Sequence, residues 1–108
     1  MEKIDMEKGL EDLGLNNRET RLFLAALSLG IFTTNSLAEF SQQPRSSTYD
    51  IINSLMRKGF ISSFKRESKT YYQAIEPKQI TQIEEERIYN LKKLIPELEK
   101  IKKDSTSR

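Results

Sequence analysis

Pro44-Arg45-Ser46-Ser47-Thr48-Tyr49-Asp50-Ile51-Ile52-Asn53-Ser54-Leu55-Met56-Arg57-Lys58-Gly59, followed at once by Phe60-Ile61-Ser62-Ser63-Phe64, decides how this 108-residue chain is read. Thr48, Ile52, Leu55 and Met56 recur at helical spacing, so the pattern predicts a helix over about 44–58 that buries those four. Pro44 suits its first position, where a missing N–H costs nothing, and Gly59 suits its end. Beyond it, Phe60 to Phe64 and Thr70-Tyr71-Tyr72-Gln73-Ala74-Ile75 are aromatic and β-branched runs around Lys65-Arg66-Glu67-Ser68-Lys69. That arrangement predicts a β-hairpin. Its tip lacks an Asn-Gly or Asp-Gly pair, so a longer, mobile loop is expected rather than a tight turn.

Upstream, Leu10, Leu13 and Leu15 form a short helical turn that stops near Gly14. Asn16 then reads as an N-cap, with Glu19 three residues on to complete a capping box. The next helix carries Leu22, Phe23, Ala26, Leu27 and Leu29 on one face and ends at Gly30. Ile31 and Phe32 are briefly extended. Thr33 or Thr34 caps a shorter helix whose inward residues are Leu37, Ala38 and Phe40, and Ser41-Gln42-Gln43 form the turn into Pro44.

Downstream, the chain is predicted helical from Pro77. Ile80, Leu91, Leu94, Leu98 and Ile101 fall on the a and d positions of a heptad, flanked by Ile83, Ile88 and Ile95. Glu84 and Arg87 interrupt that seam, and Pro96 is expected to kink or restart the helix. At 1.5 Å per residue, Pro77 to Lys103 would span roughly 40 Å, too long for one small domain to cover. A coiled-coil-like homodimer seam is therefore expected over 77–104, with 105–108 a frayed tail and 1–76 forming one domain.

Composition narrows the chemistry. The chain has no cysteine and no histidine, which excludes thiolate and imidazole chemistry and the ordinary zinc ligand sets. No cofactor and no metal are expected. Glu84-Glu85-Glu86 is the one dense carboxylate run, and on a long helix such a run is a solvated face, so no enzyme is expected. Neither an apolar leader nor a run of about 20 apolar residues is present, so we expect a cytoplasmic protein with no membrane partner. Net charge is only +2, yet residues 31–75 hold six Lys/Arg against three Asp/Glu, while residues 1–30 hold four against six. The basic excess coincides with the predicted helix at 44–58 and the hairpin.

Helix, tight turn, helix and hairpin, with a long helix after them, describe a mainly α fold with a small β-hairpin wing: a winged helix-turn-helix. In that arrangement the helix at 44–58 enters the major groove of double-stranded DNA, and its outward face must do the reading. Arg45, Ser46, Ser47, Tyr49, Asp50 and Asn53 occupy that face or its edges. Arg45 can reach a guanine edge or clamp a phosphate, and the serines can donate to phosphates. Asp50 can accept from a cytosine amine or pair with Arg45. Lys65, Arg66 and Lys69 would lie along the backbone, with one of them entering the minor groove. Two plain alternatives stand beside this: a solvated helix start, and a charged hairpin tip that keeps an edge soluble.

The residues resemble the DNA-binding region of the TrmB family of transcription regulators. The resemblance is carried by Leu10-Glu11-Asp12-Leu13-Gly14-Leu15, Glu19 to Gly30, Pro44 to Ile52, Lys58-Gly59-Phe60-Ile61 and Tyr72-Gln73-Ala74-Ile75-Glu76-Pro77. It implies a sequence-specific regulator whose Arg45, Ser47 and Tyr49 contact operator DNA. Gln42-Gln43 departs from the family, where a glycine and an apolar residue are common. Larger members continue into a sugar-binding domain; these residues end soon after the long helix, so no small-molecule effector is expected. The competing expectations are a winged helix used as a protein-interaction module and a sequence-indifferent DNA-coating protein.

Overall fold

The computed structural model describes residues 5–106. The chain divides into two units at the Glu76–Pro77 junction. In the first, α1 (Met6–Asp12), α2 (Asn17–Leu29), β1 (Ile31–Phe32), α3 (Thr34–Ser41), α4 (Arg45–Arg57), β2 (Ile61–Arg66) and β3 (Lys69–Ala74) follow in order. The sheet order is β1-β3-β2, antiparallel throughout, with Phe32 opposite Tyr72 and Phe64 opposite Tyr71. This is a winged helix, mainly α with a small sheet.

Local signals place the helix ends. Asn16 caps α2 through a reciprocal box: its Oδ1 accepts from the Glu19 N–H, and Glu19 Oε1 accepts from the Asn16 N–H, both at 2.8 Å. Gly30 follows α2 at φ +81°, a conformation that L side chains avoid. Thr33, not Thr34, caps α3, with Ser36 completing its box. Gln42 ends α3 in the left-handed region at φ 54°. That is the backbone a glycine would supply, and Gln42 adopts it at a modest conformational cost.

The core of this unit is built from all the elements. Leu15, Leu22, Phe23, Ala26, Phe32, Leu37, Ile52, Leu55, Phe60, Ile61 and Tyr72 are buried. Phe23 meets Phe60 edge-on at 5.4 Å between centroids, and Phe32 stacks on Tyr72 at 5.8 Å. Contacts of this kind add about 0.5–1.5 kcal/mol each beyond the area they bury.

Several expectations are corrected. Phe40 is exposed, because Thr34, Leu37, Ala38 and the half-buried Ser41 make up the inward face of α3 and leave residue 40 outside it. Leu27 sits at the edge of the α2 face and is exposed, and Met56 is only half-buried. Pro44 is the N-cap of α4, not its first helical residue. The first helix starts at Met6, earlier than expected, because Asp5 caps it by accepting from the Lys8 N–H.

The hairpin tip is tight after all. Arg66 pairs with Lys69, leaving only Glu67 and Ser68 in the turn, at φ 51° and 68°. Two positive φ values give the hand that matches the twist of the strands, and here non-glycine residues adopt it.

In the second unit, a 3-10 turn at Pro77–Gln79 leads into α5 (Ile80–Thr106). Pro96 lies inside α5 without restarting it. Ser105 and Thr106 belong to α5, and Lys103 stands in its last turn, where a cation suits the carbonyl end of a helix. Ser107 and Arg108 lie outside the described residues. None of the described helices is long and apolar enough to cross a membrane.

Candidate nucleic-acid interface

The helix α4 is positioned from one end and left open at the other. At its C-terminal end Lys58 Nζ lies 2.7 Å from Glu19 Oε1 and 2.8 Å from the Gly14 carbonyl oxygen. Ser54, one turn earlier, donates its hydroxyl to Glu19 Oε2. Glu19 is 1% exposed. Burial pushes its carboxyl up, but hydrogen bonds from Lys58, Ser54 and the Asn16 N–H, with the Lys58 charge, outweigh that and hold it below the ordinary value. One carboxylate thus caps α2 and anchors α4.

At its N-terminal end α4 has no side-chain cap, since Pro44 has no group to offer. The amides of the first turn are therefore open to an outside acceptor. Arg45 is the first helical residue and exposed; its Nε donates to Asn35 Oδ1 on α3 at 2.6 Å. Asn35, not Asp50, is the partner of Arg45. Fixing Nε leaves the two terminal nitrogens of the guanidinium to face an incoming group. Ser46 is exposed; Ser47 is half-buried and donates its hydroxyl to the Pro44 carbonyl at 3.1 Å. Tyr49 is 45% exposed, Asp50 is exposed and Asn53 is half-buried.

On the hairpin, Lys65, Arg66 and Lys69 are all exposed. Strand alternation puts Arg66 and Lys69 on the face of Phe64 and Tyr71, and Lys65 on the other. Phe64 and Tyr71 stack at 5.9 Å, and the Arg66 guanidinium lies 5.5 Å and 5.9 Å from their centroids. Such contacts orient an arginine without using its hydrogen-bond donors. Tyr72 alone of the tyrosine pair is buried.

Four participants escape the sequence reading: Asn35, Ser54, Lys58 as the partner of Glu19, and the Phe64–Tyr71 platform. The platform was legible in principle, because a two-residue turn at 67–68 fixes the register that sets Phe64 opposite Tyr71. Asn35 and Ser54 act across 10 and 35 residues and leave no local signal.

The residues expected to pair two copies lie on α5. Ile80 is half-buried, and Leu91, Leu94, Leu98 and Ile101 are exposed. Among the described residues no group of acidic side chains gathers as a metal site.

Comparison with known proteins bears on this geometry. The DNA-binding HTH-type transcriptional repressor TrmBL2 of Thermococcus kodakarensis is 40% identical over 53 residues, 49% of this chain but only 20% of that protein. A solved structure of TrmBL2, described as an archaeal chromatin protein with a novel mode of DNA binding, superposes with a TM-score of 0.77 at 26% identity. It covers 92% of this chain and 40% of that one. A protein of Methanosarcina mazei Go1 shares the fold, with a TM-score of 0.61 at 16% identity over 92% of this chain and 90% of that one. This chain therefore spans a fifth to two-fifths of the TrmBL2 chains it matches. The signature of the sugar-specific transcriptional regulators TrmB matches residues 10–78, from the end of α1 through the hairpin, and with most of its length so matched the chain belongs to the TrmB family.

Proposed function

We propose that this chain binds double-stranded DNA as a transcription regulator and does so as a homodimer. The observation that carries the reading is the paired placement of cations on the two elements a winged helix turns toward DNA. Arg45 stands at the uncapped start of α4, and Lys65, Arg66 and Lys69 stand at the tip of a hairpin closed by a two-residue turn. Arg45, Ser46, Ser47, Tyr49 and Asn53 read or clamp the major groove from α4, over about 44–58. Lys65, Arg66 and Lys69 neutralise backbone phosphates or enter the minor groove. Ser47 contributes through its amide, since its hydroxyl proton is engaged with Pro44. The seam of Ile80, Leu91, Leu94, Leu98 and Ile101 joins two copies, so that two recognition helices reach half-sites about 34–36 Å apart. The family is one of transcription regulators, not of enzymes. A cytoplasmic protein without a small-molecule effector is part of the same proposal.

A second reading has one observation in its favour: TrmBL2 is described as an archaeal chromatin protein. A sequence-indifferent DNA-coating role would use the same phosphate contacts with a weaker base-reading component.

Fluorescence anisotropy on two labelled duplexes separates these. One duplex carries the DNA upstream of this protein's own gene, the other a scrambled control, each at low and near-physiological salt. A preference for the native duplex that survives added salt supports the specific regulator. Equal, steeply salt-sensitive binding supports the coating role. Absence of binding to either, with a stoichiometric protein partner in pull-down, would replace both with a protein-interaction module.

A further inference from the structure

Asn35 makes a contact that its own helix does not need. The start of α3 is already served by Thr33 and Ser36, whose side chains and amides close a capping box. Asn35 is exposed beside them, and its Oδ1 accepts instead from Arg45 Nε at 2.6 Å, across 10 residues of sequence. Both ends of that bond stand on fixed backbone. Leu37 and Ala38 bury one side of α3, and Thr48 and Ile52 bury one side of α4. The turn between them is tied by the Gln42 and Gln43 amides, which donate to the Glu39 and Ala38 carbonyls. The hydroxyls of Ser47 and Thr48 both donate to the Pro44 carbonyl, so neither competes for Asn35.

The bond selects one edge of the guanidinium. An arginine can meet a pair of acceptors side-on, through Nε and one terminal nitrogen, or end-on, through both terminal nitrogens. With Nε given to Asn35, only the end-on edge is left. The partner is also a neutral amide, and no carboxylate pairs with Arg45 among the described residues. Asn35 thus orients the side chain without cancelling its charge.

What that edge recognises follows from base chemistry. It carries donors only. In the major groove guanine alone presents two neighbouring acceptors, N7 and O6. Adenine and cytosine each place an amine donor there, and thymine sets a single carbonyl beside a methyl group. A backbone phosphate also accepts, but it takes a cation at many angles and has no need of a fixed fork. The residues that meet base edges in a helix-turn-helix are those at the start of the recognition helix, and Arg45 is the first residue of α4.

We infer that Asn35 is a positioning residue for base recognition: by holding Arg45 Nε it presents the terminal nitrogens as a fixed fork, and so makes guanine the base that α4 selects. This rests on the specific-regulator reading above and deepens it by naming the base and the residue that sets the choice.

A duplex selected from a random pool by the full chain serves as the probe, with a scrambled duplex beside it. In fluorescence anisotropy, its guanines are replaced one at a time by 7-deazaguanine, which lacks the N7 acceptor. One position should emerge where the native chain loses about tenfold and Arg45→Ala loses nothing. Asn35→Ala, at an exposed site, should lower the ratio of selected to scrambled affinity about fivefold, with scrambled affinity and salt slope unchanged. A residue that only supported the fold would lower both affinities together. Asn35→Asp keeps an oxygen within reach of Nε; it should weaken both duplexes through its charge but retain the ratio and the 7-deazaguanine sensitivity. A selected duplex with no sensitive guanine would overturn guanine recognition. An unchanged ratio in Asn35→Ala, or an equal fall in Asn35→Asp, would overturn the positioning role. In each of these cases the specific regulator stands. A pool that yields no preferred duplex would overturn this inference and the specific regulator together.

Discussion

Lys58, at the C-terminal cap of α4, holds Glu19 in the first turn of α2, with Nζ 2.7 Å from Oε1. The Glu19 side chain is almost wholly buried while that of Lys58 is 39% exposed. The two partners therefore respond differently to substitution. Losing the lysine strands a buried carboxylate, whereas losing the carboxylate frees a lysine that water can solvate.

Lys58→Met should destabilise the protein by about 2 kcal/mol, below the 3–5 kcal/mol of a fully buried pair because Ser54 and the Asn16 amide still serve the carboxylate. Urea unfolding at neutral pH measures it. A loss under 0.5 kcal/mol would show that those two donors suffice alone.

The same carboxylate makes stability depend on acid. Its folded pKa lies below the ordinary 4.5. The stabilisation is thus complete above the unfolded value of about 4.5 and is lost as pH falls through the folded value. Thermal unfolding between pH 3 and 7 should show a steeper acid-side decline for the native chain than for Glu19→Gln, which keeps a side-chain acceptor for the Asn16 amide but cannot ionise. Parallel curves would remove Glu19 from the acid response.

Thr20 is fully buried, and its hydroxyl has no hydrogen-bond partner among the described residues. Replacing it with the isosteric valine removes a polar group that folding strips of water, so Thr20→Val should stabilise by about 1 kcal/mol. A destabilised variant in the same urea assay would mean that the hydroxyl is satisfied in solution.

Glu67 and Ser68 hold positive φ at the hairpin tip. The double variant Glu67→Asn, Ser68→Gly supplies the residues such a turn prefers and should raise stability by about 1 kcal/mol. DNA affinity should stay within about twofold, since Lys65, Arg66 and Lys69 are untouched. A large fall in affinity would implicate the tip side chains themselves.

On DNA, the two elements should separate by specificity. Arg45→Ala should weaken a preferred duplex by about tenfold and a scrambled one by less, as the loss of a base-edge contact worth about 1–3 kcal/mol requires. Arg66→Ala should weaken both alike and make the salt slope shallower by about one per copy. Equal losses for Arg45→Ala on the two duplexes would remove it as a base reader.

What the residues announce locally, they announce well. The Asn16–Glu19 box, Gly30, the Thr48–Ile52–Leu55 face and the two hairpin strands all follow from spacing or capping. The failures share a cause. Phe40 is apolar at a position the α3 face does not reach, and only tertiary packing decides which neighbour turns inward. Glu67-Ser68 lacks the glycine signal because the flanking strands, with Phe64 against Tyr71, hold the turn without it. Asn35 to Arg45 and Glu19 to Ser54 and Lys58 are contacts between helices, with no period to reveal them. The candidate interface was legible as a set of cations, but not the groups that orient them.

The two-residue tip has a geometric consequence. A hairpin with a loose end can stretch toward a groove; one whose final pair is Arg66 and Lys69 has no slack to pay out. How far its cations project is then set by strand length alone, at about 3.3 Å per residue. The wing works as a ruler rather than an arm, and inserting one residue in each strand would lengthen its reach in fixed steps while turning every side chain to the opposite face.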